Sequence, residues 1–355
     1  MEETKTTKLH DLYELFIKLI PYIILIFVIL MTGLSFIAPF FEISFHEGDE
    51  LIVKSVGIST LLFERTAGIS VHIYFICHYI VLPSIACVLL IFSKNHHYFK
   101  SAAVIIFLVI AISSIVTKDS YADAIYFYYK VTTGVKYDFE VSGIKSFCYV
   151  LPIITYFVAF ILSIISNLKH ITFTVKDITE MGVLIAIAFG LNFIKLFQMP
   201  TGGSVNFQML PLFFLALRRG PLKGFIGGGI VYGLITCLTD GWGFASYPFD
   251  YLLGFGSIAV FGFFSHLILV PGERDYTVRG ELWLLLAGTI STSIRFIAGT
   301  VSSMVIYGYD LVAAMSYNSL YIFISGAISL AVLMGLLGPI RRINYRFPVI
   351  DESDL

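Results

Sequence analysis

Apolar residues gather into long runs near 17–40, 68–93, 101–117 and 146–166, and again near 179–198, 207–217, 222–239, 248–271, 282–307 and 311–339. A bilayer crossing takes roughly 20 predominantly apolar residues as an α-helix, and most of these runs reach or approach that length. The pattern predicts an all-α polytopic membrane protein with about ten transmembrane helices: four in an N-terminal bundle and six in a C-terminal part. The 207–217 run is short for a crossing. Arg218-Arg219-Gly220-Pro221 follows it, so it is expected to continue into, or hinge tightly onto, the next run.

Basic residues set an expected orientation. Lys94 and Lys100, Lys169 and Lys176, Arg218, Arg219 and Lys223, Arg274 and Arg279, and Arg341, Arg342 and Arg346 fall in alternate loops, which the positive-inside rule places in the cytoplasm. The 41–65 loop holds Glu42, Glu47, Asp49, Glu50 and Glu64 against Lys54 and Arg65, which fits the outer face and leaves both termini cytoplasmic. The first apolar run is too long for a signal-peptide core and no small-residue cleavage pattern follows it, so it is read as a retained span. The polar segment from Asn167 to Thr179 is the clearest break in composition. It divides the chain into a four-helix module (1–168), a cytoplasmic linker (169–178), a six-helix domain (179–345) and a cytoplasmic tail (346–355). No self-similarity relates the two helical parts, so they read as distinct modules rather than inverted repeats.

Composition narrows the function. The chain has 355 residues, 57% hydrophobic and 13% charged, with a mean hydropathy of +0.88; a soluble globular protein carries about 25% charged residues. An ordinary soluble enzyme is excluded. The net charge of -1 offers no basic field for nucleic acid. Cys77, Cys87, Cys148 and Cys237 lie inside apolar runs without a C-x-x-C pair, as buried thiols do. No P-loop, H-E-x-x-H, G-x-S-x-G or dinucleotide fingerprint occurs, so no catalytic residue, cofactor or metal is assigned and no energy source is encoded. His96-His97 reads as a solvated loop pair, and His72 and His78, on different helix faces, as interfacial or packing residues. The glycines of GPLKGFIGGGIVYG, residues 220–233, sit inside an apolar run and predict close helix packing rather than a phosphate cradle.

An ionisable residue inside a span is costly and faces a cavity or a partner. Arg295 lies near the middle of the 282–307 run, whereas Lys195 is close enough to a helix end to snorkel. Asp250, at the outer start of the 248–271 run, is placed to neutralise Arg295 or to bind substrate, and a buried Arg295–Asp250 pair that only fixes packing competes evenly with a binding role. Amides and aromatics mark the outer helix ends: Asn206, Phe207 and Gln208; Trp242, Phe244 and Tyr247; Tyr307 and Tyr309; Tyr317, Asn318 and Tyr321. Interfacial belts account for many of the rings, and for Tyr126 to Tyr129 entirely. A pocket for a flat, polar-edged molecule accounts for the amides as well. The candidate substrate-binding residues are therefore Arg295, Asn318, Asp250, Trp242, Tyr247, Asn206 and Gln208.

Residues 179 to about 340 also resemble the thiamine-specific substrate-binding (S) components of energy-coupling factor vitamin transporters. The likeness is strongest over MLPLFFLALRRGPLKGFIGGGIVYGL, Met209 to Leu234, and continues in EMGVLIAIAFGLNFI, YPFDYLL, RFIAG and SYNSLY. The resemblance implies that Ala186 and Gly190 form the small-residue pair that docks on a transmembrane coupling subunit, itself driven by separate ATPases. It retains Asn318 in the sixth helix. It also places Gly254, Phe255 and Gly256 where the family has a carboxylate followed by Tyr-Pro, Arg295 where it has a histidine, and Ser303 where it has a tryptophan. Such a site implies a vitamin-sized ligand related to thiamine or, with an arginine for a carboxylate, a neutral or anionic one unless Asp250 substitutes. Two further classes remain open on sequence: a stand-alone secondary carrier using Arg295 and Asp250, and a non-transport scaffold or accessory subunit of a membrane redox or processing system. The first 170 residues have no counterpart in the family.

Overall fold

The computed structural model describes residues 2–37, 39–47, 50–57, 76–93, 97–116, 140–142, 147–167, 172–200, 202–270 and 277–347. The expectations placed on Asp49, Glu64, Arg65, His72, Lys94, His96, Tyr126 to Tyr129, Lys169, Arg274 and residues 348–355 lie outside them. The chain forms two compact units, Met1–Ile171 and Thr172–Leu355.

The first unit contains α1 (Glu2–Ile37), α2 (Leu82–Phe92, entered through a π-helical turn at Cys77–Val81), α3 (His97–Val116) and α4 (Phe147–Ser166). Ile20, Ile24 and Val28 recur every four residues and so share one face of α1. They bury against Ala86, Cys87 and Leu90 of α2, Phe107 and Ile110 of α3, and Tyr156 and Ala159 of α4. His78 is buried, with its ring nitrogens 2.8 Å from Ser114 Oγ and 3.1 Å from Ser113 Oγ. It is thus a helix-packing residue held in a polar cluster.

The expected 41–65 loop contains strands instead. β1 (Pro39–Glu47) and β2 (Glu50–Gly57) form an antiparallel hairpin, and β3 (Glu140–Ser142) pairs antiparallel with β1 through Ile43 and Val141. The cause lies in a two-residue alternation, Phe41, Ile43 and Phe45 against Glu42, Ser44 and His46, which is the period of a strand.

The second unit opens with α5 (Val175–Asn192). Thr174 caps it reciprocally: Asp177 N donates to Thr174 Oγ1, and Thr174 N donates to Asp177 Oδ2. The helix stops at Phe193 rather than running to 198. Phe197–Gln198 (β4) instead folds back on Ser204–Val205 (β5), around Gly202 and Gly203 at positive φ.

Met209–Asp240 comprises α6 (Met209–Phe225), a π-helical segment (Ile226–Tyr232) and α7 (Gly233–Asp240). It is not one straight rod. Gly220 has φ 82° and ψ 177°, and a Cβ built on Gly224 would lie 2.6 Å from Ala216 Cβ, although residues eight apart in one helix are about 12 Å apart along the axis. The chain reverses at Gly220, and Pro221 begins the second arm with its missing N–H at no cost. The expected Arg-Arg-Gly-Pro hinge is therefore a hairpin.

The 248–271 run, expected as a single helix, instead holds a π-helical segment (Tyr247–Leu253) followed by short pieces at Gly254–Gly256, Ala259–Phe263 and Ser265–Ile268. A Cβ at Gly229 would come within 2.6 Å of Leu252 O and 3.0 Å of Gly256 Cα. The glycine run thus presses the second arm backbone-to-backbone on this broken passage. α8 (Val278–Val305) and α9 (Leu311–Gly335) are capped by Thr277 and Asp310, and the short α10 (Leu337–Arg346) follows.

Among the described residues, Leu12–Leu34, Tyr98–Ile115, Met209–Asp240, Val278–Val305 and Leu311–Gly335 are long and apolar enough to cross a membrane, while Cys77–Phe92 and Val150–Ser166 are shorter apolar helices. The protein is a helical membrane protein with small accessory sheets.

Candidate ligand-binding cavity

The two ends of the second unit differ in chemistry. At the hinge end, Arg219 Nη1 donates to Asp177 Oδ1 at 2.5 Å, Arg218 Nε to Glu180 Oε1 at 2.6 Å and Lys223 Nζ to Asp177 Oδ2 at 2.8 Å, with a further Arg219–Glu180 bond. This network fastens the start of α5 to the hairpin turn. Asn192, fifteen residues beyond Asp177 along α5 and so about 22 Å away, lines a cavity of about 690 Å³ at the other end. That volume lies in the range of small-molecule pockets.

The cavity is built by the β4–β5 turn, the end of α7, the broken passage, and facing stretches of α8 and α9. On α8, Arg295, Gly299 and Ser303 recur every four residues and present one face to it. Arg295 is only 9% exposed. Its guanidinium stacks on the Phe255 ring at 4.8 Å and makes no hydrogen bond or ion pair among the described residues. Asp250 accepts from Ser302 Oγ at 2.6 Å and lies beyond ion-pair distance of Arg295. The packing ion pair that competed evenly with a binding role is not formed: Ser302, seven residues after Arg295 on the same helix, takes the carboxylate. Both charges line the cavity.

On α9, Asn318 Nδ2 donates to Ser303 Oγ at 2.8 Å and to Ala314 O at 2.9 Å, while its Oδ1 accepts from Tyr321 Oη at 2.9 Å. Asn318 is thus fixed in orientation by its neighbours. Gln208 lines the cavity with its Oε1 taken by Tyr232 Oη at 2.5 Å. Trp242 is half exposed at the rim, its indole packed over Gly202, and Tyr317 Oη donates to Gly202 O. The β4–β5 turn is thereby clamped between Trp242 and α9.

Five of the seven proposed binding residues, Arg295, Asn318, Asp250, Trp242 and Gln208, line this cavity. Two are placed elsewhere. Tyr247 is buried beside Phe244 with its hydroxyl 3.5 Å from Gly229 O. Asn206 is buried behind the lining, donating to Asn192 Oδ1 at 3.2 Å and Ser204 Oγ at 2.9 Å and accepting from Gln208 N at 3.2 Å. It holds the turn in shape.

The sequence reading missed Lys195 and Asp240 as lining groups. Lys195 lies near the end of one apolar run and Asp240 just past another, and such positions read equally as snorkelling. Tyr232 carried no signal, because an aromatic inside an apolar run reads as core, and Phe255 was marked only through the family resemblance. Ala186 and Gly190 are exposed on α5 with Gly182 on the same stripe, and a Cβ at Gly182 or Gly190 would meet nothing within 4 Å.

Residues 178–343 match the family model of the thiamine transporter protein. The chain is also 27% identical over 173 residues to the thiamine transporter ThiT of Bacillus subtilis (strain 168), an alignment covering 43% of this chain and 88% of that protein. Over residues 178–343 the chain is thus thiamine-transporter-like, similar to the S components of vitamin transporters.

Proposed function

We propose that the second unit is the substrate-binding subunit of a vitamin uptake system, capturing a vitamin-sized, flat, polar-edged molecule in the cavity between α8, α9 and the β4–β5 turn. The observation that carries this reading is the cavity itself: about 690 Å³, walled by Trp242, Tyr317 and Tyr321 and floored by oriented polar groups, within a thiamine-transporter-like unit. Aromatic faces supply contact area, while Arg295, Asp250, Asn318 and Gln208 fix orientation. The ligand is thiamine-related or, with the altered polar set, another neutral or anionic molecule. Tyr247 and Asn206 act by holding the walls.

Transport is energised by separate coupling and ATPase subunits. The chain has no nucleotide motif, and the exposed Ala186–Gly190 stripe on α5 permits close backbone approach of a partner helix. In this reading the protein makes ten membrane passages or their equivalent with both termini cytoplasmic, and the cavity opens outward. The four-helix module at 1–168 has no assigned role. A stand-alone carrier would use Arg295 and Asp250 for ion coupling, which their shared exposure to one cavity keeps as the second reading.

Mass spectrometry of small molecules retained after gentle purification, combined with co-purification, tests the proposal. A retained heteroaromatic molecule and a stable complex with ATPase subunits are expected. A ligand-bound protein that transports without any ATPase would favour the second reading, and a preparation that binds no small molecule would overturn both.

A further inference from the structure

We infer that the molecule bound in this cavity carries an oxyanion, a carboxylate or a phosphate, that seats on the Arg295 guanidinium. This rests on the S-component reading of the cavity and deepens it. Arg295 is buried, lines the cavity, and has no carboxylate within ion-pair reach and no hydrogen bond among the described residues. A buried charge without a partner is strongly unfavourable, so a fold that keeps one aimed into an empty space is built for an incoming counter-charge. The geometry fits the planar fork of an arginine. The guanidinium carbon lies over the Phe255 ring, 4.8 Å from its centroid, and the side-chain stem packs by Gly254, where an added Cβ would sit 3.8 Å from Arg295 Cγ. With the stem held and no hydrogen bond made by its N–H groups among the described residues, the guanidinium is left for a bidentate oxyanion.

Gly299 also lines the cavity. It follows Arg295 by one turn, and a Cβ there would come 3.0 Å from Asn318 Oδ1, so its lack of a side chain lets α9 bring Asn318 close against the face of α8 that carries Arg295. Asp250 supplies a charge of the opposite sign in the same cavity. Its Oδ2 is taken by Ser302 and its Oδ1 has no bond among the described residues, which suits a ring N–H or a cationic ring. The bound molecule therefore carries a donor or cationic ring as well as the oxyanion.

Three probes with a common ring system separate the possibilities: thiamine, which ends in a hydroxyl; thiamine monophosphate; and thiamine acetic acid, which ends in a carboxylate. Binding isotherms of the purified full chain should show one or both anionic probes bound at least about tenfold more tightly than thiamine, as expected for a charge-assisted pair. The tighter of the two tells phosphate from carboxylate. Arg295→Gln should erase the preference, lowering the affinity of the anionic probes at least about tenfold more than that of thiamine, and Arg295→Lys, which keeps the charge, should retain part of it. Thiamine bound as tightly as both anionic probes would overturn the inference and leave the S-component reading standing. Binding of none of the three, with no retained small molecule in the purified protein, would overturn both. If none of the three binds but a molecule is retained, its charge decides: an anion supports the seat on Arg295, and a molecule without an acidic group overturns it. Should Arg295→Gln fail to fold, the preference of the native chain and of Arg295→Lys still decides.

Discussion

Gly220 has φ 82° and ψ 177°, in a region of backbone conformation open essentially to glycine alone. A Cβ there would meet nothing within 4 Å, so Gly220→Ala isolates the backbone cost of the hairpin turn. A loss of about 1–3 kcal/mol is expected, read as a lowered Tm in detergent, and an unchanged Tm would show that the turn relaxes freely. Beside it, burial pushes the Asp177 carboxyl up, but the bonds from Lys223 and from Thr174 outweigh that and hold it at about 2, below its ordinary 3.8. Asp177 precedes the apolar run, at the polar end of α5. Because the folded value is depressed, the stabilisation is complete above 3.8 and is lost as the pH falls through 2. Asp177→Asn should thus cost about 3 kcal/mol near neutral pH, with the gap from the native protein narrowing as the pH drops below 3.8. A gap that stays constant there would place the stabilisation elsewhere. Arg295 was legible as a residue that needs a partner, because a charge inside an apolar run stands out. Its lack of a carboxylate partner was not, because Ser302, which takes Asp250, is one serine among many.

Elements were legible where their period was long. The helices of both units follow their apolar runs, and the hinge at 218–221 announced itself through Gly and Pro. The strands of 39–57 were not recognised, since acidic content was weighed ahead of the alternation in Phe41, Ile43 and Phe45. The broken 247–268 passage hid inside a hydrophobic run. Its breaks follow from contacts with the second arm of the hairpin, at Gly228, Gly229 and Gly233, and sequence alone does not state which glycines meet. The β4–β5 turn is where an element acts on binding. A Cβ on Gly203, at φ 82°, would lie 2.9 Å from Tyr321 ring atoms, and Tyr321 in turn orients Asn318. Gly203→Ala should weaken ligand binding by roughly tenfold through displacement of that ring, since 1.4 kcal/mol is a factor of ten. Stopped-flow release should show the loss in the off-rate, and an unaltered off-rate would remove the turn from the binding site.

At the scale of the whole molecule, every residue lining the cavity belongs to the second unit. Residues 172–355 expressed alone should therefore bind the same ligand with affinity within a few-fold of the full chain. A loss of binding from folded protein would assign the first unit a part in the site. On α5, Ala186→Leu with Gly190→Leu should leave folding and ligand binding intact, since Gly190 faces open space and replacing a mid-helix glycine favours the helix by about 0.5–1 kcal/mol. The same pair should abolish co-purification with coupling subunits. Unfolding of the variant would mean that the stripe packs within the chain. Cysteine labelling of the 41–65 and 272–280 segments should place them on opposite sides of the membrane, and labelling from one side would sink the proposed topology.

The sequence by itself determined that this chain is a helical membrane protein, where its composition breaks, which family its second part resembles, and that Arg295 required an explanation. Those properties depend on local composition and on periods read along one strand of text. Tertiary structure alone decided that Arg295 and Asp250 share a cavity without pairing, that Asn206 and Tyr247 support its walls instead of lining them, and that Lys195 and Asp240 reach its lining. The reason is physical. A side chain's partner is chosen by which helix faces approach, and those approaches were set by glycine contacts such as Gly229 on Leu252 and Gly299 beside Asn318, between residues too distant in sequence for any period to connect them.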